Sequence, residues 1–295
     1  MKPVARALGL VCMTTTEEVR FRTITRTRLR TFPPDVQVTT LRELYADNVR
    51  RLSGAIDFCL RSRIRLYRLT SSLFPQSEDG PGHDVLSELS TALAEIGERA
   101  AANGIRLVMH PDQFVVLSSD DPRVIANSIG ILRHHARVLD LLRQPRSAWA
   151  AVEIHGGKGQ RPDKLVAVIR ELPDEIRTRL ALENDEYAYS ADEILDVCRR
   201  AGVPMVFDAH HHVVHEALQS YEDPSIAAMT ALARTTWPDP SWQLVHISNG
   251  KESFADARHA DYVTKMPSAF RDVPWIEVEA KQKELAIARL RKTWR

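Results

Sequence analysis

Six short apolar runs in this chain end at or just before a histidine or a carboxylate: Arg106-Leu-Val-Met-His110, Ala151-Val-Glu-Ile-His155, Leu180-Ala-Leu-Glu183, Met205-Val-Phe-Asp208, Leu244-Val-His246 and Trp275-Ile-Glu-Val-Glu279. Imidazoles and carboxylates together are the ligand set of borderline or hard divalent cations such as Zn²⁺ or Mn²⁺. Groups of this kind crowded into a protein interior call for a cation, because an isolated buried ion costs on the order of tens of kcal/mol in the idealised limit. A lone histidine at a strand end is ordinarily a hydrogen-bonded core residue. His110, His155, Glu183, Asp208 and His246 at five successive run ends, with Glu279 at a sixth, instead predict a metal site. The run Asp208-Ala-His-His-His212 is the densest local signal: the turn after the aspartate can bring one of the three histidines to the same cation. His134 and His135, placed mid-helix by their neighbours, read as structural.

Such groups need a scaffold that collects strand ends. Two further apolar runs, residues 7–11 and 65–69, bring the strand-like segments to eight. The segments between them carry helical spacing, for example Leu86, Leu89, Leu93 and Ile96, or Ile129, Leu132, Ala136 and Leu139. Strand alternating with helix is the pattern of parallel βαβ units, and eight repeats close into a (β/α)8 barrel, whose active sites lie at the C-terminal ends of the strands. The local punctuation agrees. Gly104 and Gly202 stop helices ahead of the third and sixth strands, and Ser190-Ala-Asp-Glu193 has the spacing of a capping box. Residues 14–40 break the pattern, with Arg20, Arg22, Arg26, Arg28 and Arg30 but little apolar periodicity. That excursion reads either as a functional loop, with Arg26 and Arg28 as candidate phosphate contacts, or as a solvated basic hairpin.

The bulk properties bound the class. The 295 residues fit one α/β barrel domain spanning 1–295, and no Pro/Gly/Ser-rich linker divides them. With 40 Lys+Arg against 39 Asp+Glu, global charge neither announces nor excludes a nucleic-acid partner. Three distant cysteines, Cys12, Cys59 and Cys198, argue against a disulfide framework or a zinc finger and fit a reduced cytoplasm. No apolar stretch approaches the roughly 18 residues of a membrane span, so no membrane partner is expected. P-loop, GxGxxG, GxSxG and HExxH patterns are absent, which sets aside a nucleotide cofactor, a serine nucleophile elbow and a zincin.

Five segments together resemble the UV damage endonuclease family of metal-dependent barrel enzymes: His110-Pro-Asp-Gln-Phe114, His155-Gly-Gly157, Leu182-Glu-Asn-Asp-Glu186, Asp208-Ala-His-His-His212 and Glu279-Ala-Lys-Gln-Lys-Glu284. Tyr67-Arg-Leu-Thr-Ser-Ser72 and His259-Ala-Asp-Tyr262 add to the likeness, which covers nearly the whole chain. The resemblance implies His110, His155, Glu183, Asp208, His211, His246, His259 and Glu279 as ligands for up to three divalent ions, typically manganese. It further implies damaged double-stranded DNA as partner and incision of a phosphodiester 5′ to a lesion such as a pyrimidine dimer. Glu183 and His110 would then be catalytic, with Lys281 near the phosphate, and Gln113 and Phe114 would form the lesion-probing pair. The chain departs from the family at two places. Leu244 replaces a lysine that the family modifies to a metal-bridging carbamate, and Leu10 stands where a further aromatic probe is often found. Those departures and the near-neutral charge leave two other readings open: a barrel metalloenzyme acting on a small molecule, or a damage-binding homologue without catalysis.

Overall fold

Each of the eight apolar runs forms a parallel strand, and together they close a barrel in the order β1 to β8. A computed structural model describes residues 6–111, 115–157, 159 and 161–294. The strands are β1 Ala7–Val11, β2 Leu66–Leu69, β3 Arg106–Met109, β4 Val152–His155, β5 Leu180–Glu183, β6 Met205–Asp208, β7 Leu244–Ile247 and β8 Trp275–Val278. The helices are α1 Arg26–Leu29, α2 Pro34–Arg61, α3 Gly80–Glu88, α4 Ser90–Ala102, α5 Pro122–Leu141, α6 Pro162–Arg170, α7 Asp174–Arg177, α8 Ala191–Ala201, α9 Ala209–His215, α10 Pro224–Arg234 and α11 Lys283–Thr293. Barrel closure pairs Ala7, Leu8 and Gly9 with Trp275, Ile276 and Glu277.

Side chains alternate across a strand, so each run divides between the barrel interior and the helix-facing exterior. Ala7, Leu66, Val108, Ala181, Val206 and Leu244 form one apolar cluster, the lower interior. Their neighbours Leu8, Leu10, Leu107, Leu182, Phe207 and Val245 belong to the larger cluster that packs beneath the helices. Leu10 therefore faces α-helices and is fully buried, which overturns its expected place as a lesion probe. Leu244 faces inward but sits in the apolar layer. Gly9 is required by close approach: a Cβ there would come within 2.7 Å of the Leu66 side chain.

Arg106 closes the N-terminal end. Its guanidinium lies 4.9 to 5.5 Å from the ring centres of Trp149, Trp237 and Trp275. It donates to the carbonyls of Trp149 (2.7 Å), Trp242 (2.8 Å) and Ala148 (3.0 Å). Burial pulls its pKa down to about 10, so it remains a cation at neutral pH.

The helix signals match their positions. Gly202 ends α8 in the left-handed region at φ 72°, and Ser190 and Glu193 make the reciprocal capping box. The set Leu86, Leu89, Leu93 and Ile96 spans two helices, α3 and α4, broken at Leu89. The excursion after β1 is shorter than expected, because α2 begins at Pro34, a residue whose fixed φ suits a first helical turn. Asn48 on α2 pins it, accepting from Arg22 N (2.8 Å) and donating to the carbonyls of Arg22 (2.8 Å) and Leu73 (2.7 Å).

Replacing Arg106 by leucine would leave one buried and two half-buried carbonyls without their donor, and the expected loss of unfolding free energy in urea is about 3 kcal/mol. A loss under about 1 kcal/mol would mean that the tryptophan layer closes the barrel unaided.

Candidate metal centre

Glu183, the last residue of β5, sits at the middle of the barrel mouth with four imidazoles around its carboxylate. Its Oε1 lies 3.0 Å from His246 Nδ1 and 3.3 Å from His211 Nδ1. Its Oε2 lies 2.9 Å from His110 Nε2 and 3.7 Å from His155 Nε2. The strands explain the meeting: β4 pairs with β5 in a register that puts His155 beside Glu183, and β6 pairs with β7 so that Asp208 stands beside His246. Glu279, just past β8, places Oε1 3.5 Å from His246 Nδ1 and Oε2 3.7 Å from His259 Nδ1.

Asp208 ends β6 and caps α9, which starts without an intervening turn. One carboxylate oxygen, Oδ1, accepts from the backbone N–H groups of His210 (2.6 Å) and His211 (2.8 Å). The other, Oδ2, is buried with no hydrogen-bond partner among the described residues, an orphan aimed where a cation would satisfy it. Of the three following histidines, His211 is the one that reaches the cluster. His210 instead joins Tyr221 Oη (2.6 Å) to the carbonyl of Asp256 (2.9 Å), tethering the loop that carries His259. His212 turns to Ser225 Oγ at 3.0 Å. His134 and His135 lie buried within α5, away from the mouth, and burial drives the His134 pKa down to about 3.

Three further charged residues lie beneath the histidines: Arg68 from β2, Glu153 from β4 and Glu277 from β8. Arg68 Nη1 is 2.8 Å from Glu277 Oε2 and 2.6 Å from Glu279 Oε1. His246 Nε2 is 3.1 Å from Glu153 Oε2 and 3.0 Å from Glu277 Oε2. Sequence reasoning missed these residues although the signal was present: Glu153 precedes His155 by two and Glu277 precedes Glu279 by two, which puts each pair on one side of its strand.

The electrostatics show why the donors fit a cation. Burial pushes the Glu183 carboxyl up, but the charges of His246 and His155 and the hydrogen bonds from His110 and His246 outweigh it, leaving Glu183 well below the usual carboxylate range. Burial lowers His211, yet Asp208, Glu183, Glu186 and Glu279 lift it to about 10. His246 is likewise held well above its ordinary value against its burial, first by Glu183 and Glu277. His155 falls, chiefly through burial. Without ions, protons on His211 and His246 supply the positive charge that the carboxylates demand. Among the described residues, three trios bring ligand atoms within 4.8 Å of one another: His110, His155 and Glu183; Glu183, Asp208 and His211; and Glu153, His246 and Glu277. The mouth can therefore hold divalent ions.

A basin of about 670 Å³ opens above, lined by His110, His155, Glu183, His211, His259 and Glu279 among others. Lys281 does not line it; its side chain is exposed on the turn after β8, and its N–H donates to Ala260 O at 3.1 Å. Arg26 and Arg28 are exposed on α1, where Arg26 donates to Gln76 Oε1 (2.8 Å) and Arg28 lies over the Phe32 ring. Gln113 and Phe114 lie outside the described residues. A second cavity of about 420 Å³ beside His110 and His155 is lined by Tyr187, whose side chain is 76% exposed. Asp185 stiffens that turn by accepting from the N–H groups of Tyr187 (2.8 Å), Ala188 and Tyr189 (3.2 Å).

Similarity to known proteins runs the length of the chain. Residues 6–294 match the family described as UV-endonuclease UvdE. The UV DNA damage endonuclease of Nostoc sp. is 55% identical over 289 residues, covering 97% of this chain and 90% of that protein. The UV DNA damage endonuclease of Deinococcus radiodurans is 51% identical over 287 residues, covering 96% and 94%. The crystal structure of SacUVDE superposes with a TM-score of 0.81 at 25% identity, covering 98% of this chain and 99% of that one. The closed barrel, the crowd of imidazoles and carboxylates at its mouth and these matches lead to one conclusion: the chain belongs to the UV-endonuclease UvdE family.

Proposed function

We propose that this chain is a metal-dependent DNA repair endonuclease that cuts a phosphodiester 5′ to UV lesions such as pyrimidine dimers, leaving a 3′-hydroxyl and a 5′-phosphate. The observation that carries the reading is the convergence of ligand atoms around Glu183, in a chain more than half identical to a UV DNA damage endonuclease. The proposed ligands are His110, His155, Glu183, Asp208, His211, His246, His259 and Glu279, holding up to three ions; the mixed imidazole and carboxylate set suits Zn²⁺ or Mn²⁺, and the family likeness favours Mn²⁺. When bound, clustered divalent ions generate a nucleophile from water, steady the attacked phosphate and stabilise the leaving oxygen.

The chain's own residues do the rest. Glu183 joins both halves of the cluster through its two oxygens, and Asp208 keeps Oδ2 free by committing Oδ1 to the start of α9. His110 is fixed between Glu183 and the carbonyl of Pro111 (2.9 Å), at the edge of the basin where substrate enters. Lys281 at the rim, and Arg26 and Arg28 on α1, would contact backbone phosphates of damaged duplex DNA, which carry register rather than sequence information. Gln113 and Phe114 would fill the gap left by a displaced lesion, and the exposed ring of Tyr187 offers a face on which a base can stack. No helix of the described residues is long and apolar enough to cross a membrane. An enzyme of damaged double-stranded DNA would work in the cytoplasm.

Incubated with Mn²⁺, the protein is expected to convert UV-irradiated supercoiled plasmid to open circles and to leave undamaged plasmid intact. Glu183→Gln should lower that activity by more than about 100-fold, since even outer partners of metal ligands contribute 10 to 100-fold, with the folded circular dichroism spectrum retained. Equal cutting of both plasmids, or none, rejects the reading.

Metal affinity should also depend on pH in a set direction. His211 has a folded pKa raised to about 10, so its contribution to the ion-free fold is fully present below the ordinary histidine range and is lost as pH rises through about 10. The same proton must leave before His211 can bind an ion, so Mn²⁺ affinity should climb from pH 6.5 to 8.5 by up to roughly tenfold per unit for each proton displaced. Calorimetry in buffers of different ionisation enthalpy reads the released protons; a flat profile would contradict this assignment.

A further inference from the structure

The mouth of the barrel has a lower storey that the ligand set does not use. His246 presents one ring nitrogen to each storey. Its Nδ1 faces Glu183 Oε1 at 3.0 Å and Glu279 Oε1 at 3.5 Å, and both of those carboxylates line the open basin. Its Nε2 faces Glu153 Oε2 at 3.1 Å and Glu277 Oε2 at 3.0 Å. Neither of those residues lines the basin, and both are completely buried. They approach from different directions: Glu153 from β4, across the barrel, and Glu277 from β8, the strand adjacent to β7.

We propose that Glu153 and Glu277 are positioning residues for His246: Glu153 takes the hydrogen bond from Nε2, Glu277 adds its charge at ion-pair distance from the same nitrogen, and together they turn Nδ1 toward the ions held at Glu183 and Glu279. The inference rests on the metal-binding part of the proposed function. Two carboxylates at this depth are hard to explain by packing alone, since a buried charge left without good partners is penalised by several kcal/mol. Glu153 Oε1 and both oxygens of Glu277 have no hydrogen-bond partner among the described residues, so these side chains are not placed here to satisfy one another. What they share is the Nε2 edge of His246. A histidine that binds metal through one nitrogen ordinarily donates from the other to a carboxylate, which fixes the ring and makes the ligand more basic.

The same three residues are close enough to hold a cation themselves. The surroundings argue against that use. Arg68 Nη1, 2.8 Å from Glu277 Oε2, already places a permanent positive charge in the lower storey. A divalent ion would sit beside that guanidinium, which borders the basin while Glu153 and Glu277 do not. Arg68 also touches Glu279 at 2.6 Å, so it links the lower pair to the upper ligands and offsets part of their charge.

The test is Mn²⁺ binding, counted and titrated by electron paramagnetic resonance in the full chain, with Glu153→Gln, Glu277→Gln and the double variant. Loss of the two charges should weaken the tightest binding by 10 to 100-fold in the double variant while the number of ions stays that of the wild type. Nitrogen-detected NMR of the wild type loaded with Zn²⁺ should show the His246 proton on Nε2; this measurement decides the matter if the variants do not fold. Mn²⁺ affinity within twofold of wild type in the double variant, a proton on Nδ1, or the loss of one whole ion would each overturn the proposal. The last outcome would make the lower trio a binding site in its own right. A wild type that binds no Mn²⁺ would sink the proposed function as well, whereas a wild type that binds Mn²⁺ but leaves irradiated DNA intact would sink only the incision.

Discussion

The mouth of this barrel gathers buried carboxylates that the ion-free chain can balance only with one arginine and with protons on its histidines. Glu153, Glu183, Asp208, Glu277 and Glu279 lie within one connected cluster, and Arg68 is the arginine that pairs with it there. Attraction between such groups and histidine protons can hold the ion-free protein together, but only by protonating rings that stand where metal ligands belong. His211 at about 10 is that compromise in numerical form. Divalent cations remove it, because each can neutralise two carboxylates while leaving the imidazoles neutral and bound.

The barrel is layered to support that charge. Its floor is a guanidinium stacked between tryptophans, followed by a ring of small and branched apolar side chains including Leu244. Above that come the Glu153, Glu277 and Arg68 storey and then the ring of ligands open to solvent. Period-two alternation generates the order, since Leu66 and Arg68, Ala151, Glu153 and His155, and Leu244 and His246 climb the same interior faces. A dry floor below a charged layer strengthens each electrostatic contact above it, and the same dryness makes any unpaired group there expensive. The layers therefore stand or fall together.

Much of this was legible in the sequence, because the strands are short, apolar and punctuated by the groups that matter. All eight runs became strands, and His110, His155, Glu183, Asp208, His211, His246, His259 and Glu279 gather at one end of the barrel. Choosing among His210, His211 and His212 needed the resemblance; the structure gives the physical ground, since a helix begun at Asp208 turns the residue three places on back toward its cap. What stayed hidden depends on contacts distant in sequence. Glu153 and Glu277 look like ordinary polar strand residues until β4, β7 and β8 are brought around one ring. The course of the chain after β1 is set by Asn48 and by Glu284, which accepts from the N–H groups of Thr15 and Thr16 at 2.8 and 2.9 Å, and no local periodicity encodes such ties. Leu10 was misplaced by strand parity: Gly9, not Leu10, looks into the barrel.

Cations in the cage around Glu183 are what this arrangement of ligands requires. Anomalous diffraction from a crystal soaked in Mn²⁺, collected above and below the manganese edge, tests that most directly. Peaks bounded by Glu183, Asp208, His211 and Glu279, with His246 bound through Nδ1, are the expected result. A map with no peak in the mouth, and Glu183 still hydrogen-bonded to His110 and His246, would contradict it.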